Sequence, residues 1–254
     1  MLTEQDFRNS IPDTNQPQVL NGLKQPVHSY RDKLGVPHIR ALTQSDAFKA
    51  QGYVTAQDRL WQMECDRRKG SGRWAEVVGK AAVTDDCLMR RFRLDQSARS
   101  DYLASDKITQ QMLEAYAQGV NAFIEAGPLP IEYKITNLEP EPWEPWDSLI
   151  VFKVRHILMG VFEAKAWRGR LLRKISPDTL ANIFPSYQPG QPVIIPPGRD
   201  YTGPLENCLE DLIIGASQLN YLNETDTGSN SWVISGSKTK SGKPLLAGDS
   251  HRGL

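Results

Sequence analysis

Cysteine is scarce in this 254-residue chain: Cys65, Cys87 and Cys208 stand far apart and form no CxxC pair. That spacing argues against a structural zinc site and against a disulfide framework. An excess of charge of one sign is also lacking, because 30 Lys and Arg balance 30 Asp and Glu. No net field draws nucleic acid or an anionic membrane, so neither is expected as a partner. No apolar run approaches the roughly 18 residues of a membrane-spanning helix, and the N-terminus MLTEQDFRNSIPDTNQPQ has no basic segment leading into an apolar one. As written, the chain is expected in the cytoplasm, and a periplasmic location would follow if a leader were missing. Repeats and low-complexity tracts are absent. The basic stretch RRKGSGR at 67–73 lacks the Gly-Lys-Ser/Thr ending of a phosphate-binding loop, and its cations are read as partners of a helix C-terminus.

What is present is an ordinary globular composition, 39% hydrophobic and 24% charged, in a chain long enough to bury a substantial core. Residues 1–26 are polar and turn-rich, and VHSYRDKLGVPHIRAL then predicts a hairpin turning around Asp32 to Gly35. Ser45 is the expected cap of a helix running from Asp46 to about Gly70, with Ala47, Ala50, Val54, Trp61 and Cys65 along one face. The stretch SDKITQQMLEAYAQGVNAFIEAGP is apolar nearly all round. Ile108, Met112 and Ala115 form one stripe and Leu113, Tyr116, Val120 and Phe123 another, so the helix is expected to be buried. Asp147 is the expected cap of a further helix that runs on to the residues before Pro177. From Tyr187 to Pro204 the composition turns to Pro and Gly and marks a boundary. The fold class expected is α+β, mostly helical, with one hairpin near each end.

The C-terminal hairpin carries the chemistry. NSWVIS and KPLLAGDSH are β-prone runs joined by GSKTKSG. A turn centred between Lys240 and Ser241 sets residue 229 opposite residue 252 and brings Ser229 and His251 within about one position of each other. Glycine before serine permits backbone conformations closed to other residues, and strain at such a bond promotes attack by the adjacent hydroxyl. Gly-Ser-Asn is equally an ordinary turn. A Ser-His-Asp triad does not follow from Asp249 and His251, because a triad needs separately placed groups.

The stretch GSNSWVISGSKTKSGKPLLAGDSH resembles the processing site and β-chain start of the penicillin amidase (penicillin acylase) family of N-terminal-nucleophile hydrolases. YRDKLGVPHIRA, GYVTAQDRLWQMECDRRKGSGRWAEVVG, YAQGVNAFI and WEPWDSLIVFKVRHILMG resemble further segments of that family, in the same order. The likeness spans residues 27–174 and 228–254.

The resemblance implies an αββα sandwich in the whole protein, of which this chain would supply a helical region at 1–200, a spacer at 201–228 and the start of the catalytic β-chain at 229–254. It implies a zymogen that cleaves itself between Gly228 and Ser229, with Ser229 as the nucleophile of a linear-amide hydrolase. The freed α-amine, with a reference pKa of roughly 7.7–8.0, would serve as its own general base. His251 would support the nucleophile through hydrogen bonds, and Asn230 would fix the new terminus or simply favour the turn. His156, Met159 and Phe162 would border the acyl pocket, or else be core and interface residues. Glu163 would be one ligand of a calcium ion that some relatives bind, but calcium takes six to eight oxygens, so one carboxylate is not a site. No other cofactor is expected.

The implied partners are a small acylated amine and the β-chain of the same precursor. The family hydrolyses β-lactam side-chain amides and acyl-homoserine lactones, and this sequence selects neither. Only 26 residues (254 − 228) follow the cleavage point, so the chain is expected to be a truncated part of a longer precursor, inactive alone. A non-catalytic helical binding or assembly module that retains an old motif is the competing reading.

Overall fold

Two glycines bring the longest helices into backbone contact in the computed structural model, which describes residues 2–158, 162–184 and 228–251. Helix α2 spans Gln44–Gly70 and helix α6 spans Lys107–Ala126. A Cβ on Gly52 would lie 2.1 Å from the Tyr116 carbonyl oxygen, and one on Gly119 would lie 1.9 Å from that of Lys49. Each glycine sits one turn from the carbonyl facing the other, so the contact is reciprocal. Around it Tyr53, Val54, Ala56, Leu60 and Met63 of α2 pack with Ala117, Val120 and Phe123 of α6, joined by Tyr133 and Trp143. Tyr53 meets Phe123 edge-on at 5.5 Å, and Trp61 meets Tyr133 at 5.1 Å.

The N-terminal region is tied onto α2. Helix α1 (Glu4–Asn9) is closed by a Thr3–Asp6 capping box, a short element inside the stretch expected to be irregular. Strands β1 (His28–Arg31) and β2 (Pro37–Arg40) form the predicted hairpin, pairing antiparallel with Tyr30 opposite His38. Arg31 reaches Asp58 at 2.7 Å, beside Arg59, where the α2 backbone departs from helical geometry. Thr43, not Ser45, caps α2. The Thr43 hydroxyl accepts from the Asp46 amide, while the buried Asp46 carboxylate accepts from the Lys24 and Gln25 amides at 2.8 and 3.2 Å.

Beyond α2 come α3 (Ala75–Val78), a 3-10 turn at Gly79–Ala82, α4 (Val83–Phe92) and α5 (Leu94–Ala104). After α6 follow α7 (Ile131–Thr136), α8 (Asp147–Leu158), α9 (Phe162–Leu171) and α10 (Pro177–Ile183). The described residues after Asp147 are helical over α8 and again over α9, and Met159 lies outside the described residues. Leu88, Met89, Leu94 and Val154 form a second, smaller core. Helix α6 is less buried than its composition predicts. Val120 and Phe123 are enclosed, but Ile108 at its other end is 61% exposed.

Arg67, Arg68 and Lys69 of RRKGSGR lie in the last turn of α2, as expected, and the two arginines are ion-paired as well. Arg67 and Arg68 are buried, and both bind Glu64, one turn earlier on α2. Arg67 also reaches Asp147 at 3.1 Å, donates to the Pro142 carbonyl at 2.9 Å, and lies over the Trp143 ring. Arg68 pairs with Glu76 and Glu141, and Arg73 binds the same two carboxylates. Burial pushes the Asp147 carboxyl up despite the Arg67 guanidinium beside it.

The Glu141 carboxyl is held down at about 2, from a usual 4.5, chiefly by hydrogen bonds from Arg73. Its folded value lies below its unfolded one. Its contribution to stability is therefore complete above the unfolded value and is lost as pH falls through the folded one. Glu141→Gln is expected to flatten the stability profile between pH 4.5 and 2, read by urea unfolding at stepped pH. An unchanged slope would contradict the assignment.

Candidate active site

Strand β3 (Gly228–Ile234) pairs antiparallel with β4 (Leu245–His251). The connecting loop is not a symmetric two-residue turn. It opens with a 3-10 turn at Gly236–Lys238, and the Thr239 hydroxyl donates to the Gly236 and Lys243 carbonyls at 3.1 and 2.8 Å. A Cβ on Gly236 would lie 2.3 Å from the Gly242 carbonyl oxygen, and Gly242 itself has φ +69°. This knot draws the turn centre towards Thr239 and changes the register by two residues from the one expected. Ser229 stands opposite Ser250 rather than residue 252.

The register sets the site. Gly228 faces His251, Ser229 faces Ser250 and Asn230 faces Asp249. His251 is thus one rung from Ser229, as the turn placement anticipates, and the two positions fall on alternate faces of the ladder. Ser229 and Asn230 are exposed. The Gly228-Ser229 peptide bond lies inside β3, between the rung that holds His251 and the next.

Of the helical candidates, His156 lies on a helix whose start is set by the charge cluster. Asp147 opens α8, its carboxylate accepting from the Glu144 amide at 2.9 Å and from Arg67. The Asn121 side chain of α6 binds both backbone groups of Trp143, and the Trp143 indole donates to the Ser148 hydroxyl at 3.2 Å. Those contacts fix the start of α8, and the helix then carries His156 to its far end. His156 is exposed, with Nδ1 2.9 Å from the Phe152 carbonyl oxygen and its ring 4.1 Å from the Phe152 ring. Phe162 and Glu163 open α9, where only their backbone is described. Among the described residues no group of three or more His, Cys, Asp or Glu could hold a metal ion, and no helix is long and apolar enough to cross a membrane.

Sequence reasoning overlooked the cluster that positions α8. Its local part was accessible, since Glu64 precedes Arg67 and Arg68 by three and four residues, the spacing at which helical side chains meet. Its partners Glu141 and Asp147 lie too far along the chain for any local pattern.

Comparison with known proteins adds what the hairpin alone does not carry. The penicillin amidase family model matches residues 26–254, nine-tenths of the chain and both hairpins. The chain belongs to the penicillin amidase family. Penicillin acylase 2 proenzyme of Pseudomonas sp. (strain SE83) is 39% identical over 252 residues, covering 96% of this chain and 32% of the relative. The acyl-homoserine lactone acylase QuiP of Pseudomonas aeruginosa is 34% identical over 253 residues, covering 96% of this chain and 30% of its own length. This penicillin amidase family member therefore spans about a third of the curated relatives it matches. Among solved structures, a thermostable penicillin G acylase from Alcaligenes faecalis matches with a TM-score of 0.54 and 27% identity. The match covers 69% of this chain and 99% of the solved one, so the solved chain is the shorter of the two.

Proposed function

We propose that this chain is the N-terminal part of an amide hydrolase that matures by cleaving itself between Gly228 and Ser229. Residues 1–200 are then the helical chain, 201–228 a removable spacer and 229–254 the start of the catalytic chain of an αββα N-terminal-nucleophile hydrolase. The observation that carries the reading is the position of Ser229: directly after a glycine, at the head of a strand whose first rung holds His251. The acylase relatives, one of them named a proenzyme, support it.

In maturation the Ser229 hydroxyl attacks the Gly228 carbonyl carbon. The C–N bond breaks as a C–O ester forms, and water then releases Gly228 as a carboxylate and Ser229 as a free amine. In turnover that amine takes the hydroxyl proton while the oxygen attacks the carbonyl of an acylated amine, and the proton passes to the departing amine. Water, activated by the same base, hydrolyses the ester. His251 and Asn230 position the new terminus, and His156, Met159 and Phe162 border the acyl group. Glu163 would offer a calcium ion at most two of the six to eight oxygens it takes, so no step is routed through a metal.

Intact-mass measurement on the chain extended to the length of its relatives is expected to resolve a species beginning at Ser229. Ser229→Ala removes the nucleophile and is expected to abolish that species, while Ser229→Cys, still nucleophilic, retains it. A Ser229→Ala protein cut at the same bond would refute self-cleavage.

A further inference from the structure

One Asn-Gly pair stands in the sequence, Asn21-Gly22, and the fold sets a buried cation against its peptide bond. Both residues are exposed in the turn between α1 and β1, and Gly22 has φ +78°. Among the described residues the Gly22 N–H donates to no protein group, and the Asn21 side-chain amide has no partner. Lys49 of α2 is buried, and its Nζ donates to the Asn21 backbone carbonyl at 2.5 Å and to the Gln118 side chain of α6 at 3.2 Å. We propose that Asn21 is a site of spontaneous conversion to isoaspartate, with Lys49 promoting the reaction and selecting its product.

The attacking atom is the Gly22 nitrogen. It loses its proton and bonds to the Asn21 side-chain carbonyl carbon, and ammonia leaves with that proton, closing a five-membered imide. Glycine leaves its nitrogen open to this approach because it carries no side chain. The Lys49 ammonium lies on the oxygen of the same peptide bond, where negative charge gathers as the N–H is lost, so it stabilises the reactive anion. In the imide that oxygen still belongs to the former backbone carbonyl, and the same hydrogen bond polarises it towards water. Attack there breaks the bond to the Gly22 nitrogen, frees a carboxylate beside Lys49 and leaves the chain running through the former side chain, which is isoaspartate. Attack at the other carbonyl would give aspartate. Isoaspartate gives a buried ammonium, until then held by neutral acceptors, a carboxylate in place of a carbonyl.

Peptide mapping of the folded chain, extended to its relatives' length and held at mildly alkaline pH, is expected to show loss of the Asn21 amide. Enzymatic methylation of isoaspartyl carboxylates gives the product ratio. The isoaspartate share is expected to be higher in the folded protein than in urea, where the Lys49 contact is gone. Lys49→Met is expected to slow the folded reaction about tenfold or more, the worth of one hydrogen bond to a charged group, while Lys49→Arg keeps most of the rate. An Asn21 that stays intact when folded yet reacts in urea would overturn the proposal. So would equal product shares in the two conditions, or a folded Lys49→Met protein that reacts as fast as the parent. The outcome does not depend on the reading of Ser229, because a Ser229→Ala protein is expected to give the same results.

Discussion

Gly119→Ala is expected to lower the unfolding free energy of the helical region by about 3 kcal/mol or more, the upper end of what overpacking costs. The new methyl would meet backbone rather than a side chain that could swing aside: the Lys49 carbonyl oxygen at 1.9 Å and the Tyr53 amide nitrogen at 2.8 Å. Relief requires α2 and α6 to separate, which loosens Phe123 and Val120 from Tyr53 and Leu60. Gly52→Ala, pressed against the Tyr116 carbonyl oxygen at 2.1 Å, is expected to do the same from the other helix. A domain stable by about 5–15 kcal/mol would lose a large share. Urea unfolding followed by helical circular dichroism measures it, and a midpoint unchanged from the parent would contradict the backbone contact.

Arg67→Met is expected to cost about 3–5 kcal/mol, because it leaves Asp147 and Glu64 buried with one guanidinium fewer between them. The side chain is similar in length and apolar, so lost packing is a small part of the effect. Asp147→Asn keeps an acceptor for the Glu144 amide while removing the stranded charge. The double variant is therefore expected to lose clearly less than the two single changes added together. Strict additivity in the same urea experiment would mean that the two groups do not interact. Because Asp147 opens α8, the double-mutant cycle also measures how firmly the start of that helix is held.

The sequence reveals the elements whose causes are local. The β1–β2 hairpin, the end of α2 at Gly70 and the end of α6 before Gly127 all follow from short-range turn and helix-stop signals, and each is found. The C-terminal hairpin is legible as a hairpin. Its register is not, because the position of its turn depends on a hydroxyl at Thr239 and a close pass of Gly236 against Gly242 that no propensity encodes. The small helices between Ala75 and Ala104 escape because none of them has a long repeating stripe. The ion cluster escapes because Arg67 and Arg68 meet Asp147 and Glu141 only once α8 has folded back beside α2. As for the site, the nearness of His251 to Ser229 within one rung follows from turn arithmetic, whereas its pairing with Gly228 does not, and the chemistry proposed for Ser229 comes from the family to which the chain belongs.

The central claim is that the Ser229 hydroxyl reacts with amides only after its own backbone nitrogen has been released. It is tested most directly by following turnover of an acylated amine against the fraction of molecules that begin at Ser229, in the chain extended to its relatives' length and slowed in processing by substitution at Gly228. The account predicts that activity rises in proportion to that fraction and vanishes when the new α-amine is carbamylated. Full turnover by molecules whose Gly228-Ser229 bond is intact would contradict it.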